Sequence, residues 1–199
     1  MPDNAFILKA KTALNRDKPF AGKWQGFECR EITGQQVWWG GISSGGSEDF
    51  AKAVKKHLGF EAAGPRAFAE GQSAGGKFRI VTAGERQFFV MGEDDLPAGL
   101  ENAACITNQS DGWVGISVEG PRSREVLEKL ATIDLHPSVF PAGSAARAPF
   151  EHMLAVIACE DADAGRFAIH FQRSSARSFI DHLCHAAASA CGPSLSGGH

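Results

Sequence analysis

Hydrophobic positions recur at helical spacing in three stretches and at strand spacing in several more. Phe50, Ala53, Val54 and Leu58 predict a helix over 48–58, with Ser47 placed to cap it and Gly59 placed to end it in a left-handed conformation. Its opposite face is lysine-rich. Val37-Trp38-Trp39 predicts a short strand ahead of a glycine-rich loop over 40–46. Residues 78–82 and 87–91 read as strands, and Ala83-Gly84-Glu85-Arg86 between them fits a hairpin by length and turn chemistry. Short strands follow over 104–107 and 113–118.

Gly120-Pro121 opens a second helix, in which proline at the first position loses no hydrogen bond. Val126, Leu127 and Leu130 form its apolar face, and Glu125 and Lys129 an i,i+4 pair worth about 0.2–0.5 kcal/mol. Beyond a loop marked by Pro137 and Pro141, residues 153–159 are continuously apolar, as in a strand covered on both faces. An acidic turn leads to a strand over 166–171. The final helix, over 174–190, places Ala176, Phe179, Ile180, Leu183 and Ala187 on one stripe, with Arg177, Asp181, His182 and His185 turned away.

These elements divide the chain into an N-terminal arm over 1–60 with one strand and one helix, a linker over 61–76, a domain over 77–190 and a disordered tail over 191–199. The first 35 residues show no clear period and are expected to order against a partner. The order β-α-β-β-α, preceded by β-β-α-β, predicts an α+β fold of two split β-α-β (ferredoxin-like) halves, antiparallel sheet with helices on one face.

Composition narrows the function. With 199 residues, 43% of them hydrophobic and 22% charged, the chain is large enough to bury a core and too apolar for disorder through most of its length. A formal net charge of -3 with dispersed Lys and Arg gives no footprint for nucleic acid or an anionic membrane. No basic segment leads into a long apolar run, so a cytoplasmic protein is expected. Five cysteines without C-x-x-C spacing read as reduced thiols rather than a disulfide framework or a zinc site.

Candidate chemistry is sparse. The loop over 40–46 fits neither G-x-G-x-x-G nor the lysine-bearing P-loop, and Glu48 and Asp49 behind it would repel a phosphate. No dinucleotide fingerprint offers a flavin or nicotinamide site. His182 and Cys184 stand about 200° apart around a helix, which argues against a shared metal. His136 and His152 read as loop or packing residues. Asp111-Gly112-Trp113 reads equally well as a turn entering a strand and as a subunit contact.

Four stretches carry a resemblance in order and spacing: Gln109-Ser110-Asp111-Gly112-Trp113; Glu119-Gly120-Pro121-Arg122-Ser123-Arg124-Glu125-Val126-Leu127-Glu128-Lys129-Leu130; Ile133-Asp134-Leu135-His136-Pro137-Ser138-Val139-Phe140-Pro141-Ala142-Gly143; and Arg173-Ser174-Ser175-Ala176-Arg177-Ser178-Phe179. They are similar to the gamma subunit of heterotetrameric sarcosine oxidase, as is Gly84-Glu85-Arg86-Gln87-Phe88-Phe89-Val90, so the resemblance spans about residues 75–188.

The resemblance implies a non-catalytic subunit of a complex that oxidatively demethylates sarcosine to glycine, with hydrogen peroxide and 5,10-methylenetetrahydrofolate as products. It implies that FAD, FMN, NAD, zinc and tetrahydrofolate belong to the alpha, beta and delta subunits, and that alpha is the main partner. It also implies a fold related to the folate-binding domain of aminomethyltransferases. Those enzymes carry Gly-Gly and paired aspartates where this chain has Pro149-Phe150-Glu151-His152-Met153-Leu154. Two alternatives are a stand-alone folate-binding one-carbon transfer protein and a gamma-type subunit of a related N-methyl amine oxidase or dehydrogenase. Candidate interface residues are Asp111, Trp113, Arg122, Arg147, Arg173 and Arg177, with Arg124 a further inter-subunit ion-pair donor.

Overall fold

The computed structural model describes residues 11, 12, 14, 18–73 and 76–195. In chain order it contains β1 (Ala21–Trp24), β2 (Phe27–Ile32), β3 (Gln36–Gly41), α1 (Ser47–Leu58), β4 (Phe68–Ser73), β5 (Gly76–Thr82) and β6 (Gln87–Gly92). There follow β7 (Cys105–Asn108), β8 (Trp113–Glu119), α2 (Ser123–Glu128), β9 (Ala145–Phe150), β10 (Met153–Asp161), β11 (Arg166–Gln172) and α3 (Ala176–Cys191). The strands form two antiparallel sheets, ordered β1-β2-β8-β11-β10-β9 and β4-β5-β6-β3-β7.

Side-chain alternation turns these sheets into four layers. In the first sheet Ala155, Ile157, Cys159, Ile169 and Phe171 face α2 and α3, where Phe171 stacks on Phe179 with centroids 3.9 Å apart. Val156 and Ala158 point the other way. In the second sheet Trp38, Phe78, Ile80, Phe88 and Val90 meet Phe50, Val54 and Leu58 of α1. Its opposite face supplies Val37, Val81, Phe89 and Met91, which pack with Trp113, Ala145, Val156 and Ala158 between the sheets. Each sheet thus carries its helices on one face, as the α+β expectation requires, and the sheets stack by their remaining faces.

A charged clamp crosses the stack. Arg79 of β5 reaches Glu70 of β4 at 2.7 Å and Glu160 of β10 at 2.6 Å, with its side chain only 14% exposed. Burial alone would raise the Glu70 carboxyl, but Arg79 and Lys77 together hold it below the usual carboxylate range.

Several sequence expectations are corrected. The stretch expected to be a linker carries β4, an edge strand whose polar residues Glu70 and Gln72 hide its period. Among its described residues the N-terminal arm holds three strands rather than one: β1 and β2 were obscured because Glu31 takes an inward position after Phe27 and Cys29. Strand β3 runs on through Gly40 and Gly41, so the glycine-rich loop is shorter. The α1 N-cap is Gly46, not Ser47, whereas Gly59 does end the helix at φ 81°. Helix α2 begins at Ser123, after Pro121, and Glu125 pairs with Arg122 instead of Lys129. Residues expected in a disordered tail include Cys191, still in α3, and Leu195, whose N–H donates to the Lys23 carbonyl at 2.7 Å. Residues 1–10, 13, 15–17 and 196–199 of the expected arm and tail lie outside the described residues.

Candidate functional site

Strands β8 and β11 meet at one end of the sandwich, where Trp113 is the register partner of Gln172. Two single-turn 3-10 helices, Ser110–Gly112 and Arg173–Ser175, lie against each other just beyond. The first is fastened to β3: the Val37 N–H donates to Ser110 Oγ at 3.0 Å, and the Gln109 N–H to the Val37 carbonyl at 2.8 Å. Asp111 is left exposed at its tip. Trp113 turns inward, 8% exposed, and meets Phe89 edge-on at 4.9 Å.

Two shallow depressions flank this end. One of about 500 Å³ is bordered by Asp111, Trp113, Gln172 and Arg173. The other, about 300 Å³, lies under the crossing from β2 to β3 and reaches Glu31, Gln35 and His170. His170 is 2% exposed, and burial, then the Arg79 charge, pushes its pKa down to about 3. The ring is therefore neutral at pH 7, and its Nε2 proton fits a donor role toward Gln35 Oε1, 2.5 Å away. The buried Glu31 carboxylate accepts the backbone N–H of Phe20 at 2.9 Å and of Leu14 at 3.2 Å, which ties the incoming chain to β2.

The six candidate residues are only partly gathered. Asp111, Trp113 and Arg173 share this end, and Arg177 stands exposed on the first turn of α3 beside it. Arg122 lies past the opposite end of β8, where Glu125 holds its guanidinium through contacts of 2.7–2.9 Å. Arg147 projects from β9 between the sheets and reaches Gln87 Oε1 at 3.3 Å, while its buried Nε has no partner. Among the described residues no carboxylate forms an ion pair with Arg147, Arg173 or Arg177, in contrast to Arg30, Arg79, Arg122 and Arg166.

Arg124 turns inward instead of out. Its guanidinium bonds the Leu135 carbonyl, donates to the Phe140 carbonyl at 3.2 Å, and lies 5.0 Å from the Phe167 ring centre. It braces the loop after α2 whose sequence is D-L-H-P-x-x-F-P. There Asp134 Oδ1 accepts the His136 N–H at 2.8 Å, and Leu135 and Phe140 are buried. Glu151 and His152 form the tip of the β9–β10 hairpin, Glu151 at φ 51°. Among the described residues no group of three His, Cys, Asp or Glu is clustered to hold a metal ion. No helix among them is long and apolar enough to cross a membrane.

Sequence reasoning missed Glu31, Gln35 and His170. The signal available was a charged residue at the third inward position of an otherwise alternating strand, Phe27-x-Cys29-x-Glu31.

A profile of the sarcosine oxidase, gamma subunit family matches residues 44–189. No curated protein matches the chain. Among solved structures, it is similar to a chain of heterotetrameric sarcosine oxidase from Corynebacterium sp. U-96 in complex with pyrrole 2-carboxylate. That match has a TM-score of 0.71 and 18% identity, and covers 87% of this chain and 90% of that one. It is also similar to aminomethyltransferase T of the glycine cleavage system from Bartonella henselae, with a TM-score of 0.58, 12% identity and 85% of this chain covered. There it spans only about half of the other chain, 51%.

Proposed function

This chain belongs to the sarcosine oxidase gamma subunit family, and from that premise we propose that it serves in a cytoplasmic heterotetramer with alpha, beta and delta subunits. The complex oxidises the N-methyl group of sarcosine. With tetrahydrofolate and oxygen as co-substrates the products are glycine, 5,10-methylenetetrahydrofolate and hydrogen peroxide. FAD, FMN, NAD, zinc and tetrahydrofolate reside in the other subunits, and this chain contributes a rigid surface, chiefly to alpha.

The observation that carries the reading is the family match over residues 44–189, which runs from just before α1 into α3 and includes strands of both sheets, with β1, β2 and β3 lying ahead of it. The geometry supports a contact role for the end built around Asp111, because Arg173 and Arg177 stand there without an acidic partner among the described residues. Buried Trp113 sets the position of that end, and Arg147 adds a further cation between the sheets. Arg122, already held by Glu125, is the weakest of the six as a contact. The hairpin tip offers one carboxylate, Glu151, where methylene transfer on folate would call for a pair.

Co-purification tests the reading. A tagged copy expressed with the alpha, beta and delta chains of the same genome retains all three in fixed stoichiometry, and the complex releases peroxide on addition of sarcosine. A chain that elutes alone, with the other three assembled and active without it, contradicts the proposal.

A further inference from the structure

The two sheets do not cover each other fully, and the uncovered margin has a defined composition. Trp39 of β3 sits on the inner face of its sheet yet is 38% exposed. Its register partners are Phe89 and Thr107, and Gly41 beside it pairs with Cys105. On the facing sheet Leu154 is also on the inner side and 38% exposed. The registers bring the two toward one mouth of the stack. Phe89 packs on Trp113, Trp113 pairs with Gln172, and because Phe171 pairs with Ala155, Leu154 falls opposite Gln172. Leu154 in turn pairs with Pro149, two residues from Arg147 on the same face of β9. Arg147 reaches across to Gln87 of β6, and its buried Nε is unpartnered.

We propose that this mouth is a docking notch for another subunit of the complex, receiving an apolar side chain between Trp39 and Leu154 and a neighbouring carboxylate on Arg147. The inference rests on the gamma-subunit reading and deepens it. Charge complementarity selects the occupant. A guanidinium that makes one 3.3 Å contact to Gln87 Oε1 and has no carboxylate partner among the described residues leaves its outer N–H groups for an acceptor from outside. Two half-exposed apolar side chains beside it call for apolar cover, an arrangement typical of an interface anchor within a polar rim. The native thiol of Cys105 reports on the notch, because it is exposed and lies on the same face as Trp39 and Thr107.

Alkylation of Cys105, followed by mass spectrometry, tests the notch with the wild-type chain. In the co-purified complex Cys105 should react at least about tenfold more slowly than in the isolated chain. Trp39→Glu and Arg147→Glu should each weaken subunit association about tenfold or more. The control Lys52→Glu, on the outer face of α1, should leave it unchanged. Circular dichroism of each variant checks that it is folded, and the labelling result stands without any variant. Equal Cys105 reactivity in chain and complex overturns the notch while leaving subunit membership intact. Protection that develops in the isolated chain as its concentration rises assigns the face to a second copy and also overturns it. If the wild-type chain joins no complex, the gamma-subunit reading fails and the notch fails with it.

Discussion

Arg124 illustrates how a residue read as a surface cation can belong to the interior. Two carbonyls, Leu135 and Phe140, converge on its guanidinium, and the Phe167 ring lies beneath it. Arg124→Ala should lower unfolding free energy by about 2–3 kcal/mol in urea titration, because it leaves buried carbonyls unmet. Arg124→Lys should recover part of that loss. His170 supplies a pH signature. Its folded pKa, about 3, lies below the unfolded value near 6.5, so the unfolded chain binds the extra proton between those values. Its contribution to stability is therefore complete above about pH 6.5 and is lost as pH falls toward 3, with a limiting slope of about 1.4 kcal/mol per pH unit. His170→Gln should flatten that slope in urea titrations run from pH 7 to 4; an unchanged slope would contradict the assignment. Neither residue's role was legible in the sequence. An arginine that bonds carbonyls eleven and sixteen residues away, and a histidine bonded to Gln35, depend on tertiary contacts that local pattern does not carry.

At the scale of elements, strands with clean alternation and the two long helices were readable, since one period decides them. The buried stripe Ala176, Phe179, Ile180, Leu183 and Ala187 of α3 lies as its spacing predicts, and β5 and β6 form the expected hairpin. Elements failed to show where their inward positions are polar or the strand is an edge: Glu31 interrupts β2, β4 is polar, and β9 carries Pro149. The glycines after Trp39 misled for a different reason. Gly40 lies inside β3 because the Phe88 ring occupies the space of its missing side chain; a Cβ there would fall 2.3 Å from Phe88 Cζ. Phe88 in turn packs on Phe50 of α1, with centroids 4.3 Å apart. Gly40→Ala should thus push α1 away from its sheet and cost about 1–3 kcal/mol. Gly41→Ala, whose Cβ would meet only the Arg86 carbonyl at 3.9 Å, should cost far less. Comparing the two melting temperatures checks the reading.

Across the whole molecule, the α+β class and the family resemblance were both legible, but the face-to-face stacking of two sheets was not. The Arg79 clamp is one of the contacts that fix that stacking. Arg79→Met should reduce stability at pH 7 by about 1.5–3 kcal/mol, the range for hydrogen bonds to charged groups. The penalty should shrink as pH falls through the carboxylate range. Glu70's lowered folded pKa makes its contribution present above the unfolded value and lost below the folded one. A penalty constant down to pH 3 would argue against the clamp. The proposed contact residues divide by the same geography: Asp111, Arg173 and Arg177 gather at one end, whereas Arg122 sits past the other.

Assembly is the most direct test of the central claim. Size-exclusion chromatography with light scattering, on the chain co-expressed with the alpha, beta and delta subunits of its own genome, should show it eluting with them. One copy per complex is expected, in a fraction that produces hydrogen peroxide from sarcosine. Elution of this chain by itself at its 21.1 kDa mass, beside a complete and active assembly that lacks it, would contradict the account.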